Sequence, residues 1–308
     1  MSAHVSVIIP CYNAEPWIGR TIASVLEKQP WPHKDVIVVD DGSSDGSVQA
    51  VQSIQDERLT LLTGPNHGAC HARNQGLEAA IARGADYVVF LDADDYFEGD
   101  ILGGAMRVAL AHDADMVLSN LHVEETGQPR KIRDLYRGQV SPEELFHGWM
   151  DGKFVSPPGI LWRSDFVKQI GGWDESLARA QDLEITLRAT LSHPVIWKNE
   201  EGAAIYDRTN PISISRSQSF KALDSRFRAL NGLLQRTRGT SFAKTGPLLC
   251  QEIYHIARAA FRAGYTDLGR TALAVVQSEG YRDHPGTGMH KMVARVIGLE
   301  NKVRLWKG

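Results

Sequence analysis

The residues best placed to do chemistry fall in three short segments, Pro10-Cys11-Tyr12-Asn13, Asp40-Asp41-Gly42-Ser43-Ser44-Asp45 and Asp92-Ala93-Asp94-Asp95, each directly after an apolar run. Three carboxylates within four residues repel one another unless they are solvated or joined by a cation. Hard oxygen donors suit Mg²⁺ or Mn²⁺, which take one or two carboxylates and complete their shell with phosphate oxygens. An exposed acidic turn is the simpler fate of such a triplet. The strand-like run over 87–91 ahead of it favours a site. An ionised carboxylate is acceptor-only, so Asp40 is suited to accept from the imide of a pyrimidine, and Tyr12 offers a flat face for stacking a base. Either segment alone reads as a tight turn with a satisfied Asp cap. Side by side at strand ends, they favour a nucleotide pocket.

Several elements must position these segments. Short β-branched runs predict strands over 5–10, 36–40, 59–62, 87–91 and 116–119, alternating with helices near 15–29, 46–55, 68–83 and 98–112. Asp100 is placed to begin the last of these helices, and Ser44 or Asp45 the second. Strand-helix alternation with near-continuous apolar strands predicts an α/β, Rossmann-like, mostly parallel sheet with helices on both faces. In such sheets ligands bind outside the carboxyl ends of the strands, where all three segments lie. Residues 121–158 read as a long polar lid or binding loop. Beyond 215 helical periodicity dominates, over 220–235, 247–263, 266–278 and 289–306. The expected division is therefore 1–215 and a small helical region over 216–308.

Charge divides the chain in nearly the same place. Residues 1–207 hold 17 Lys and Arg against 31 Asp and Glu, whereas 208–308 hold 17 against 6, although the whole 308-residue chain is only −3. An acidic region that handles phosphates needs a divalent cation, and it disfavours specific nucleic-acid binding. The basic region suits an anionic surface. Lys291, Arg295, Lys302, Arg304 and Lys307 interleave with Met289, Met292, Val293, Val296, Ile297 and Trp306. That pattern fits either a helix docked on the protein with a solvated basic face or peripheral contact with a membrane. No apolar run reaches membrane-span length, and the first residues run directly into a strand, which sets the expectation of a cytoplasmic protein. Cys11, Cys70 and Cys250 lack metal or disulfide spacing and are expected to be buried and reduced.

Five segments in order, Val5 to Asn13, Val38 to Gly46, Ala72-Arg-Asn-Gln-Gly76, Phe90 to Asp95 and Gly171-Gly-Trp-Asp-Glu175, resemble the motifs of glycosyltransferase family 2, a group of inverting, metal-dependent enzymes with the GT-A fold. The likeness covers residues 4–215. It implies that Asp40 contacts the base, usually uracil, with Pro10, Tyr12 and Asn13 lining the same pocket. It implies Arg73 near the donor sugar and phosphates, where the plain alternative is a surface helix arginine. Asp94 is the implied ligand of Mn²⁺ or Mg²⁺, and Asp92, with Ala93 between them, the implied ribose or donor-sugar contact. Asp182 is the implied general base; a simple carboxylate at a helix N-terminus is the alternative. The family usually shows Glu-Asp at this point, and this chain has Gln181-Asp182, which keeps the base and drops the preceding acid. Glu184 reads as a helix-face or supporting residue.

The reaction so implied moves a hexosyl or N-acetylhexosaminyl group from a nucleotide diphosphate sugar, a uridine one, to a hydroxyl of a saccharide or glycolipid. Thr209 and Asn210 stand where some relatives place a histidine, so no third protein ligand is expected, and Arg208 reads equally as a diphosphate contact or a salt bridge. His67 and His71, without partner spacing, read as loop or cap residues. Trp173 and the loop from Trp149 to Trp162 are available either to stack an acceptor sugar or to fill the core. One rival, a sugar-phosphate nucleotidyltransferase, needs a Gly-rich basic loop after the first strand, which residues 10–15 lack. The other is a non-catalytic nucleotide-sugar-binding protein.

Overall fold

A computed structural model describes residues 3–208, 219–281 and 288–305. The chain forms two compact units, Met1–Glu175 with Ser192–Ser213, and Ser176–Leu191 with Ile214–Gly308. Residues 176–191 thus group with the C-terminal helices.

The first unit opens with the predicted alternation: β1 (Val5–Cys11), α1 (Glu15–Leu26), β2 (Lys34–Asp41), α2 (Ser47–Gln52), β3 (Leu59–Gly64), α3 (Ala69–Ala82), β4 (Tyr87–Phe90). After β4 come β5 (Tyr96–Glu98), α4 (Ile101–His112), β6 (Met116–Glu124), β7 (Lys131–Arg133), β8 (Gln139–Val140), α5 (Pro142–Met150), β9 (Ile160–Arg163), α6 (Ser164–Gln169) and β10 (Ile196–Asp207). The ten strands make one sheet in the order β3-β2-β1-β4-β9-β6-β10-β5, with β7 on β6 and β8 on β10. β1 to β4 are parallel, as expected for strands whose residues are buried on both faces. β9 enters between β4 and β6 antiparallel to both, so the sheet is mixed beyond β4. Along β1 the side chains divide by period two: Val5, Val7 and Ile9 join Ile18, Ile22, Leu102 and Met106 in one core, and Ile8 lies on the other face, under α3.

Local signals explain the helix starts. Asp100 caps α4 by accepting from the Gly103 N–H at 3.0 Å. The N-cap of α2 is Gly46, and Asp45, one residue earlier, accepts from the Ser47 N–H at 3.0 Å. The region expected to be one long loop over 121–158 instead carries the end of β6, β7, β8 and α5. Its helix has a readable origin: Ser141 accepts from the Glu144 N–H at 3.0 Å and Pro142 fills the first turn. The short strands form by edge pairing, which local composition does not reveal.

The second unit contains α7 (Gln181–Thr190), α8 (Phe220–Thr237), α9 (Gly246–Ala263), α10 (Thr266–Ser278), α11 (Gly288–Ile297) and α12 (Leu299–Leu305). Leu230, Leu233, Phe242, Leu249, Ile253, Ala257 and Ala272 are fully buried in its core. The single helix expected over 289–306 is two, because Gly298 adopts φ +78° and ends α11. Trp306 and Lys307 lie outside the described residues, as do Thr209 and Asn210.

Candidate active site

The ends of β1 and β2 lie side by side, Cys11 pairing with Asp40. Pairing of β1 with β4 stops at Ile8 and Phe90, so Pro10, which has no N–H, falls beyond that ladder. Asn13 adopts φ +50°, a conformation that asparagine tolerates better than most residues. Its N–H donates to Ser43 Oγ at 2.9 Å and its Oδ1 accepts from the Ser44 N–H at 2.8 Å, which ties the two strand ends together. The Ala14 N–H donates to Ser47 Oγ at 2.8 Å and adds a second tie. Asn13 therefore shapes the loop, while Tyr12 beside it is 53% exposed.

The two adjacent acids of β2 have separate tasks. Asp41 accepts from the N–H groups of His67 at 2.7 Å and Gly68 at 2.9 Å, at the positive end of α3. Asp40 is buried; its Oδ2 accepts from Gly42 and Ser43 N–H, at 3.2 and 3.1 Å. Asp40 Oδ1 is buried with no hydrogen-bond partner. The thiol of Cys11 is pushed up to about 11, by burial first, and stays protonated.

At the end of β4, the backbone of the acidic loop is pinned by α1. Thr21 Oγ1 lies 2.8 Å from the Ala93 carbonyl and 2.7 Å from that of Asp95 and shares its one proton between them, and Arg20 donates to the Asp94 carbonyl at 2.8 Å. Asp92 and Asp94 are half-buried; Asp92 accepts from Arg73 Nη2 at 2.6 Å. Asp95 is wholly buried, its Oδ1 accepting from the Asp207 N–H at 3.0 Å and its Oδ2 without a partner. Burial above all, and then the charges of Asp92, Asp94 and Asp207, push its carboxyl well above the usual range, toward the neutral form. Arg20 also pairs with Asp207 at 2.8 Å. Nothing in the spacing of α1 singles out Arg20 or Thr21, and both become visible only when the helix is laid against the loop.

Among the described residues, no set of three or more His, Cys, Asp or Glu side chains is arranged to hold a metal by itself. The donors present fit a hard cation that takes one or two carboxylates and relies on phosphate oxygens for the rest.

Arg73 is 5% exposed, stacked on the Trp173 ring at 4.5 Å, so it is not a surface arginine. Trp173 is buried, edge-on to Phe90 at 5.1 Å, and Trp162 is buried in β9. Both belong to the core, the second of the two roles open to them. Arg208 pairs with Glu125 at 3.0 Å, the salt-bridge alternative. His71 pairs with Glu175 at 2.9 Å and meets the ring of His67 edge-on.

In the second unit, Asp182 stands half-buried in the first turn of α7. Gln181 turns back to donate to the Leu177 carbonyl at 2.8 Å. Glu184 makes a two-pronged pair with Arg188, at 2.7 and 2.9 Å, with both side chains buried. Glu184 is therefore a helix-supporting residue.

The protonation state of Asp95 has a measurable consequence. A carboxyl held neutral in the fold but free to ionise when unfolded draws the chain toward unfolding as pH rises above the ordinary carboxylate range. Asp95→Asn removes that pull while preserving shape. Without added metal, its melting temperature at pH 8 is expected to equal or exceed the parent's, with the difference shrinking toward pH 4. A loss of several degrees at pH 8 overturns the assignment of a neutral Asp95.

The family model for glycosyl transferase family 2 matches residues 6–167, more than half of the chain. Among curated relatives, the putative glycosyltransferase EpsH of Bacillus subtilis is 30% identical over 195 residues, 61% of this chain and 52% of its own. The UDP-Glc:alpha-D-GlcNAc-diphosphoundecaprenol beta-1,3-glucosyltransferase WfgD of Escherichia coli is 36% identical over 120 residues, 39% of this chain and 46% of its own. The chain thus spans about half the length of these relatives. Among solved structures, residues 1–349 of S. aureus TarS in complex with UDP-GlcNAc superpose with a TM-score of 0.67 at 19% identity, covering 97% of this chain and 89% of that one. That likeness establishes the GT-A fold, with a mixed sheet, helices on both sides and a helical C-terminal region. With the family model matched across β1 to α6, the chain belongs to glycosyltransferase family 2.

Proposed function

We propose that this chain transfers a sugar from a uridine diphosphate sugar to a hydroxyl of a saccharide or glycolipid, with inversion at the anomeric carbon and with Mn²⁺ or Mg²⁺ as cofactor. The observation that carries the reading is Asp40 Oδ1, a buried carboxylate oxygen with no partner at the carboxyl end of β2. A buried acceptor of this kind calls for a donor, and the imide N–H of uracil supplies one. Tyr12, exposed beside it, stacks the base. The printed name of WfgD specifies a UDP-Glc donor, and the TarS structure was solved with UDP-GlcNAc, which supports a uridine nucleotide here.

In this reading Pro10 and Asn13 shape the floor of the base pocket, and Asp94 would hold the cation. When bound, the cation supplies Lewis-acid stabilisation of the departing diphosphate without a proton donor. Arg73 fixes Asp92 toward the ribose or donor sugar, and Ala93 keeps the loop small between the two acids. Asp182 removes the proton of the attacking hydroxyl as general base. The catalytic region is then 1–215, with Asp182 drawn from residues 176–191, and the helices over 216–308 serve the acceptor side. No described helix is long and apolar enough to cross a membrane. On α11, Met289, Met292 and Val296 are 62, 63 and 77% exposed at positions i, i+3 and i+7, in a region of net positive charge. This favours a lipid-linked acceptor met at an anionic surface.

A screen of nucleotide sugars for metal-dependent donor hydrolysis tests the reading without needing an acceptor. No turnover of any uridine donor, with nucleotide binding intact, favours a binding protein over an enzyme. Asp40→Asn is expected to weaken UDP binding by about 1–3 kcal/mol, the worth of a charge-assisted bond in a buried site. Unchanged affinity in calorimetry removes Asp40 from the pocket. Asp94→Asn should lose metal-dependent nucleotide affinity and transfer together. Asp182→Asn should bind donor and metal as the parent does, yet transfer roughly 10²–10⁴-fold more slowly. Full transfer by Asp182→Asn at saturating donor places the base elsewhere. Sedimentation with anionic vesicles should be lost as salt rises, and no binding at low salt assigns α11 a docked role instead.

A further inference from the structure

We propose that Asn74 is a positioning residue whose carboxamide holds the 171–175 loop against α3 and, through Trp173 and Arg73, fixes the side chain of Asp92. The proposal rests on the functional reading above for the role of Asp92, and on geometry alone for the relay itself.

Asn74 commits its carbonyl oxygen and both amide hydrogens to one loop. Its Oδ1 accepts from the Trp173 N–H at 2.9 Å, and its Nδ2 donates to the Trp173 carbonyl at 2.9 Å and to Glu175 at 2.8 Å. One acceptor and two donors in this arrangement are met by a carboxamide; a carboxylate of the same shape loses both donors. The loop needs such a clamp because it opens with two successive left-handed glycines, Gly171 at φ +89° and Gly172 at φ +63°. The approach is close enough that a Cβ on Gly172 would lie 2.7 Å from Asn74 Oδ1. His71, one turn earlier on α3, holds Glu175 from the other side at 2.9 Å.

The clamp places the Trp173 ring between two groups that matter to the acidic loop. It packs perpendicular to the ring of Phe90, the last residue of β4, and its face carries the Arg73 guanidinium at 4.5 Å. A planar cation held on an aromatic face has little freedom to turn, so its donors point where the ring directs them. Arg73 Nη2 meets Asp92 Oδ1 at 2.6 Å, and Asp92 is the more open end of that pair, with 33% of its side chain exposed. A run of contacts from Asn74 to Trp173 to Arg73 thus ends at the one carboxylate of the relay that faces outward. Because Arg73 and Asn74 are neighbours on α3, the helix grips the loop and the acid with adjacent residues.

Hydrogen exchange on the full chain tests the relay without any ligand, using Asn74→Ala, Trp173→Leu and the double variant. The amide of Asp95, bonded to the Asp92 carbonyl at 3.0 Å, reports the acidic loop. Asn74→Ala is expected to speed exchange about tenfold or more in peptides over 171–175 and also over 91–95. Trp173→Leu should do the same over 91–95, and the double variant should go no further there, because both changes break one path. Opening confined to 171–175, or additive effects over 91–95, overturns the relay. Should Asn74→Ala melt the whole chain, Asn74→Asp keeps the volume and the acceptor and is expected to show the same pattern. In a second arm, UDP affinity with Mn²⁺ should fall about tenfold in each single variant and no further in the double. Affinity unchanged in Asn74→Ala also overturns the proposal. If the parent binds no uridine nucleotide, the functional reading falls, and the exchange arm still decides the relay.

Discussion

Four carboxylates, those of Asp92, Asp94, Asp95 and Asp207, bear on one another around the end of β4, and the surrounding structure is arranged to make that tolerable. Like charges in a partly desolvated place must be neutralised, paired or spread apart. Each device is present: burial pushes Asp95 toward its protonated form, Asp92 is paired with Arg73, and Asp207 with Arg20. The backbone is pinned independently of the side chains, by Thr21 and Arg20 on carbonyl oxygens.

This division of labour explains why acids that are adjacent in the chain act so differently. Asp41 and Asp95 point into hydrogen-bonded or dry surroundings and serve the fold, while Asp40 keeps one oxygen without a partner and Asp92 and Asp94 stay half open. Strand geometry contributes, since successive side chains leave a strand on opposite faces. The helix N-terminus of α3 takes Asp41, and so leaves Asp40 as the member of the pair available to a ligand. Arg73 and Trp173 extend the same logic by burying a cation against an aromatic face, from which it pairs with Asp92.

The second unit has a different character. Its helices are amphipathic around a core of Leu, Ile, Ala and Phe, and its charge is basic where the first unit is acidic. Within it, the buried pair of Glu184 and Arg188 stiffens α7, the helix that carries Asp182 in its first turn.

Much of this was legible in the residues themselves. The strands β1 to β4, the helices between them and the polar segments at their ends follow from apolar periodicity and from side-chain chemistry, both local properties. The three buried thiols followed from cysteine spacing in the same way. Asp100 and the C-terminal helices over 220–278 were equally readable, because caps and amphipathic faces are written within a few residues. Other features depend on which distant segments meet. Edge pairing made strands within 121–158, and the insertion of β9 between β4 and β6 turned a parallel sheet into a mixed one. Packing decided that Trp173 and Trp162 are core, that Arg73 is buried, and that Arg20, Thr21 and Asn74 matter at all. Residue types and spacing set which chemistry is available at the strand ends, because those ends are defined by local pattern. Only the tertiary structure decided which of the acids is pushed toward its neutral form, which is paired and which keeps an oxygen without a partner, because burial and charge neighbours come from residues as far as 187 positions away.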